Sequence, residues 1–304
     1  MVQKNKTITT YKGFDKDLKC RGFQYEVGKE YELPKGETVE ICRRGFHACE
    51  SPLEVLDYYF MDGHANLLRF CEVEQSGEFS KEVESTKVAS SKIKIKKEIT
   101  FADLINSGVE WLKEKTSNDR GGDDAQIGSC VDDVQIALSG DCVQIGSSGY
   151  RTQIGSSGNS AKIGSSGINA QISSSGYFTK IAASGNYAQI ASSGASARIC
   201  SLGDCAYIAS SGDAAQIWSS GNSARIVSSG NFAQINSTGE DSVIMCVGHD
   251  SAVKAKKGSW ITLTEWYIDK MRSKCVKTEY VDGKHIKEDT WYKLVDGKFV
   301  EVNS

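Results

Sequence analysis

The chain has 304 residues, of which 39% are hydrophobic and 25% charged, and its formal net charge is -3. It is long enough for two or three domains with cores of their own, and its weak acidity argues against nucleic acid or an anionic membrane as a general partner, since both need a large positive field. No apolar run approaches the ~20 residues that span a bilayer, and the basic stretch Met1 to Lys6 has no apolar segment after it, so a cytoplasmic protein is expected.

Residues 1–99 read as a small α+β domain of short strands with one helix near Pro52 to Tyr59. The 10 cysteines include no Cys-x-x-Cys pair and read as reduced thiols. Cys42, His47 and Cys49 come closest to a metal set, but their spacing fits no common zinc motif and no fourth ligand lies nearby. They read instead as small or hydrogen-bonded residues of a sheet, so neither metal nor cofactor is expected. With His47, His64, His249 and His285 as the available bases, no catalytic triad is recognisable, and no Gly-x-x-x-x-Gly-Lys loop occurs.

The run Gly45-Phe46-His47-Ala48-Cys49 into Tyr59, followed by Leu67 to Gly77, is similar to a stretch of the poly(ADP-ribose) polymerase type of ADP-ribosyltransferase. In that family a strand leads into a helix and then into a strand ending in glycine. Tyr11-Lys12-Gly13 likewise resembles the family's His-Gly strand. The resemblance implies an N-terminal nucleotide site at Lys12, His47 and Glu98. Lys12 stands where the family has its ribose-binding histidine and His47 where it has its nicotinamide-stacking tyrosine; Glu98 is the candidate catalytic glutamate by position alone. These departures imply a degenerate enzyme or a nucleotide binder. The layout of Lys12-Gly13-Phe14, Cys20-Arg21-Gly22-Phe23, Gly45-Phe46-His47 and Trp291-Tyr292 around a repetitive middle resembles uncharacterised bacteriophage and prophage proteins, which lend no activity.

Residues 100–122 read as a capping helix and linker. Thr100 to Asp103 is a capping-box start, the stripe Leu104, Ile105, Val109 and Leu112 carries a helix to about Lys115, and Ser117 to Gly122 is polar. The helix is expected to cover the first coil of the repetitive middle.

Residues 123–256 are a tandem repeat. Isoleucine returns every ninth residue from Ile127 to Ile244, Val253 follows in phase, and glycine stands four residues after each position from Gly140 to Gly248. The unit Ala-x-Ile-x-Ser-Ser-Gly-Asn-x pairs a period-two strand, alanine and isoleucine inward, with a corner in which glycine is expected to supply positive φ. Single units cannot bury their isoleucine, so they must stack as a β-solenoid. Lys162, Lys180 and Arg198 alternate with Gln171, Gln189 and Tyr207, which favours two units per 18-residue coil and about seven coils, a rod of roughly 35 Å. The repeat lacks the aspartate ladder of a calcium roll and the continuous acidic face of a DNA mimic.

The exposed ladders admit three readings: a solvated lattice; a protein-binding face anchored by Tyr150, Tyr177, Phe178, Tyr187, Tyr207, Trp218 and Phe232; or an anion stripe at Lys162, Lys180 and Arg198. Residues 257–304, with Asp282-Gly283 and Asp296-Gly297 between alternating segments, read as an antiparallel β-meander that caps the solenoid or pairs two copies as a homodimer. The expected fold is therefore mainly β: a small α+β domain, a central solenoid and a meander. The expected function is a non-catalytic, phage-encoded interaction protein that binds or inhibits a host protein, a defence protein in its sharpest form, in the bacterial cytosol. The alternative is the ADP-ribosyltransferase-like or nucleotide-binding N-terminal domain.

Overall fold

A computed structural model describes residues 7–34, 36–59, 68–81, 85–115, 122–267 and 272–302; the expected linker at 117–121, His64, Leu67, the segment 1–6 and the Val109 side chain lie outside the described residues. The chain divides into two compact units, 1–62 with 67–111, and 63–66 with 112–304.

In the first unit the strands are β1 (Ile8–Phe14), β2 (Lys19–Cys20), β3 (Phe23–Gln24), β4 (Glu30–Glu32) and β5 (Phe46–Cys49), then α1 (Val55–Tyr58), β6 (Arg69–Lys81), β7 (Lys87–Ile99) and α2 (Phe101–Lys115). The sheet order is β4-β7-β5-β1-β6, and a further β6–β7 pairing closes β1, β5, β7 and β6 into a ring. Closure requires long strands that bend. The register of β6 against β7 shifts after Glu72 and after Ser76, where Gly77 takes φ 83°. Inside, Gln75 ties the four strands together: it accepts from Thr10 Oγ1 at 2.9 Å and donates through Nε2 to the Phe46 carbonyl at 2.6 Å and to Ser90 Oγ at 2.9 Å. Gln75 is fully buried and its amide is hydrogen-bonded, so the network fixes register while its bonds offset the cost of desolvation. The capping box at α2 forms as expected with Asp103 in the acidic role, and Phe101 packs 5.6 Å from Phe70.

The second unit is the β-solenoid, of about eight turns. Strands β8 to β22 are four residues each, one per repeat from Gln126–Ser129 to Ala252–Ala255, and they are followed by β23 (Trp260–Tyr267), β24 (Arg272–Tyr280), β25 (Trp291–Val295) and β26 (Lys298–Glu301). Alternate strands pair in parallel, so Ile145 lies on Ile163 and Ile154 on Ile172, and the coil is 18 residues with two faces. Alanine, isoleucine and the first serine of each unit point inward, as Ala161, Ile163 and Ser165 do. Each buried isoleucine contributes about 1.5–3 kcal/mol. Lys162, Lys180 and Arg198 stack on successive coils, the arrangement that two units per coil requires.

The corners depart from expectation. None of the glycines from Gly140 to Gly248 takes positive φ; that conformation falls two residues later, on Ser160, Asn169, Phe178, Tyr187 and their equivalents. Glycine is required because backbone meets backbone: a Cβ on Gly176 would sit 1.8 Å from the Gly158 carbonyl oxygen one coil below. The Asx residue after glycine bonds the next coil rather than its own corner. Asp123 Oδ1 accepts from Asp141 N–H, Asp141 from Asn159, and Asn159 from Tyr177, at 2.7–3.0 Å.

The solenoid also runs further than its isoleucine period. The corner before β23 is one residue short, so Trp260 stacks 17 residues after Val243, and Ile261 and Leu263 enter the core out of phase. The chain ends in an antiparallel meander: β23 with β24, β22 with β25, and β25 with β26 around Asp296-Gly297. Asp282-Gly283 is not a hairpin, because β24 and β25 belong to opposite sheets and the loop crosses between them. Asp282 steadies it by accepting from the backbones of Lys284 and His285.

Gly176→Ala is therefore expected to destabilise the solenoid by about 3 kcal/mol through overpacking against a rigid backbone. Phe178→Asn, which relieves a left-handed aromatic, should stabilise it by about 1 kcal/mol. Chemical denaturation followed by circular dichroism measures both; equal effects would mean that corner stacking does not select glycine.

Candidate functional site

The first unit contains a cavity of about 970 Å³. Tyr11, Phe23, Tyr25, Tyr31, Phe46, Tyr58 and Tyr59 wall it with rings, Lys12, Arg21, Arg43 and Lys87 bring positive charge, and Glu30, Glu32 and Asp57 bring negative charge. Its position follows from the ring of strands. β1 and β5 run antiparallel, with Tyr11 opposite Cys49, which sets Lys12 beside the His47 backbone. Gly13 lets Tyr59 approach, since a Cβ there would lie 2.1 Å from Tyr59 Cβ.

Lys12 is 3% exposed. Its Nζ donates to the His47 carbonyl at 2.8 Å and lies 5.6–5.8 Å from the ring centres of Phe14, Tyr25 and Tyr59. Burial pulls the ammonium's pKa below its ordinary value, and the neighbouring Cys20 opposes the fall. The rings and the carbonyl favour the charged form, but desolvation outweighs them. Cys20 Sγ is 2.8 Å from the Tyr59 hydroxyl. Burial raises the pKa of Tyr59 and Tyr25, and pushes the Cys49 thiol up to about 12.

His47 is half-buried, and burial, then Lys12 and Lys87, lower its pKa, so it is neutral at pH 7. Its Nε2 accepts from the Cys42 N–H at 3.0 Å, which leaves the ring proton on Nδ1. Cys42 takes φ 64°, and its Sγ is 2.9 Å from Lys87 Nζ. Among the described residues, no three His, Cys, Asp or Glu group as ligands of a metal ion.

Of the three N-terminal residues singled out from the sequence, Lys12 and His47 meet in this cavity. Glu98 does not line it. Its carboxylate is held by Arg69 through two hydrogen bonds of 2.6 and 2.7 Å, which keep its pKa below the ordinary value. Sequence reasoning missed Cys20, Tyr25 and Tyr59 as partners of Lys12. The Cys20-Arg21-Gly22-Phe23 run was visible, but only the closed ring brings it to β1.

The solenoid candidates do not converge. Tyr150 and Tyr187 occupy corners that follow one sheet, and Tyr177, Phe178 and Phe232 occupy corners that follow the other. Tyr207 lies on the outer face of the 9-stranded sheet, and the half-buried Trp218 on the 10-stranded one. Lys162, Lys180 and Arg198 form a stripe that is half-buried, and beside it Ala182, Cys200 and Asn236 point outward yet are fully buried. A groove of about 810 Å³ along the other face is lined mostly by small side chains such as Ser157, Ser175, Ser193 and Ala209, with Leu138 and Val227 as the larger exceptions.

The cavity thus combines aromatic walls, cations and shifted titrations, the combination that marks ligand sites. Lys12 supplies a direct check. Because its pKa is lowered on folding, the unfolded chain binds more protons in the window between that lowered value and 10.5, and burial costs more stability as pH falls through that window. Lys12→Met is expected to raise the thermal midpoint, by more at pH 6 than at pH 9; a gain that does not vary with pH would refute the depressed pKa.

A family model described as a domain of unknown function (DUF7666) matches residues 8–107, the stretch that contains the ring of strands and its cavity. Comparison with curated proteins and with solved structures finds no match.

Proposed function

We propose that the N-terminal domain binds a small planar anion of the nucleotide class and that the solenoid serves as its rigid carrier. The observation that carries this reading is the cavity of about 970 Å³ in which aromatic rings and cations surround Lys12. Rings stack on a planar base, and Arg21 and Arg43 at the wall suit phosphate or carboxylate. The volume lies at the upper end of the ~300–1,000 Å³ that small-molecule sites occupy. The engagement of Glu98 with Arg69, away from Lys12 and His47, supports binding without transfer of ADP-ribose.

Titration of the full chain with NAD, ADP-ribose and AMP while following its thermal midpoint tests the reading. Stabilisation by about 2.7 kcal/mol is expected at a hundredfold excess over Kd, and its loss in Arg21→Ala. No shift with any of the three at millimolar concentration overturns it.

A second reading keeps the solenoid as a docking surface for a host protein, with a phage origin. It is favoured by a row on the exposed sheet that the aromatic pattern of the sequence did not reveal: Tyr207, Arg225, Val243, Trp260 and Tyr280 lie on successive strands in register, flanked by exposed Val227 and Met245. Arg225 stacks 4.9 Å from the Tyr207 ring, and Trp260 packs 5.1 Å from Tyr280. A homodimer through the C-terminal strands is the competing occupant, and a doubled mass in light scattering that Trp260→Asp leaves unchanged would favour it over docking on this row.

A further inference from the structure

Among the described residues, Lys12 is the one lysine that is fully buried, and it is buried in a cavity wall rather than in an ion pair. A primary amine held in an apolar cage is the arrangement that makes lysine a nucleophile towards carbonyl carbon. Three features of its surroundings fit that chemistry. The His47 carbonyl accepts one N–H at 2.8 Å and so orients the nitrogen. The Tyr59 ring centre lies 5.6 Å from Nζ, its hydroxyl is paired with Cys20 Sγ at 2.8 Å, and Cys20 in turn interacts with the Lys12 amine, which links the pair to the nitrogen. Arg21 and Arg43 on the same cavity wall supply positive charge for an anionic group on the incoming molecule.

We propose that Lys12 captures an aldehyde bearing a carboxylate or phosphate as an imine within this cavity. The proposal rests on the reading of the cavity as a ligand site and specifies the ligand's reactive group. The Nζ lone pair adds to the carbonyl carbon, and the proton lost from nitrogen goes to the carbonyl oxygen to give a carbinolamine. The C–O bond then breaks, and the hydroxyl leaves as water with a proton from the Tyr59–Cys20 pair. The iminium nitrogen returns a proton to that pair. Amine and aldehyde become imine and water, with no oxidant or reductant. The depressed basicity of Lys12 supports the step, because the free amine is the reacting form.

The test incubates the full chain at pH 7 with glyoxylate or with pyridoxal 5′-phosphate, reduces with borohydride and maps adducts by peptide mass spectrometry. Lys12 is expected to carry the adduct at aldehyde concentrations that leave Lys16, 89% exposed at its side chain, at least about tenfold less modified. In Lys12→Arg the adduct should vanish from that peptide while circular dichroism stays unchanged. In Tyr59→Phe it should form on the order of 10²-fold more slowly. Modification of Lys12 no faster than Lys16, or an unmodified Lys12 in a folded chain, overturns the proposal; an unchanged rate in Tyr59→Phe overturns the role given to that hydroxyl. If NAD, ADP-ribose and AMP stabilise the protein while Lys12 stays unlabelled, imine capture fails and nucleotide binding stands. Labelling without stabilisation by those ligands gives the reverse.

Discussion

The second unit depends on one contact, the seating of each corner glycine from Gly140 to Gly248 on a backbone carbonyl one coil below, a glycine's in every case but Gly149, which meets Val131. Nothing larger than hydrogen fits, so the two corners of every coil are pinned to backbone distance. The sheets between them stay parallel and in strict 18-residue register, and the isoleucines are compelled to stack. The left-handed residue two positions later is a consequence, because the chain must turn back within four residues after passing over its predecessor. Phe178, Tyr187 and Phe232 occupy that position at a steric cost that asparagine would largely avoid. The Asx ladder belongs to the same geometry. Its carboxylates and amides satisfy backbone donors that the corner would leave open, so Asp132, Asp204 and Asp213 act as acceptors in the backbone rather than as surface charge.

The first unit depends on a different constraint. Gln75 reaches one residue in each of the three other strands of the ring, and a polar side chain so placed permits a single register. That register sets β1 beside β5, which brings the Lys12 amine to the His47 carbonyl, and Gly13 admits Tyr59 over the same spot. The cavity lies in this same unit, with rings and cations among its lining residues.

The parts of this fold that are legible in the sequence are those with a period. Isoleucine at every ninth residue implies stacking, and the cations of Lys162, Lys180 and Arg198 on alternate units imply two units per coil, because a ladder of like residues makes sense only between neighbours in register. The role of glycine is misread from sequence because conformational permissiveness and close approach select the same residue, and only the position of the preceding coil separates them. The last half-turn is hidden by a one-residue phase slip before Trp260. Asp282-Gly283 looks like a hairpin because its flanks alternate, yet alternation says nothing about which sheet each flank joins. In the N-terminal domain Lys12 and His47, which the likeness to ADP-ribosyltransferases picks out, line one cavity. Glu98, the third residue it picks out, lies outside that cavity, with its carboxylate held by two hydrogen bonds from Arg69.

The two units divide the chemistry between them. In the solenoid each strand largely repeats what its neighbours do, and the interior is mostly alanine, isoleucine and serine, with Leu138, Val143, Thr179 and Cys246 among the exceptions. The ring of the first unit has no such periodicity. Each position there has its own surroundings, which is what allows one lysine to lose its solvent while a neighbouring histidine is held neutral and a cysteine is set against a tyrosine hydroxyl. The proposed ligand site therefore draws on the non-repetitive third of the chain, where the buried lysine and the neutral histidine share one cavity.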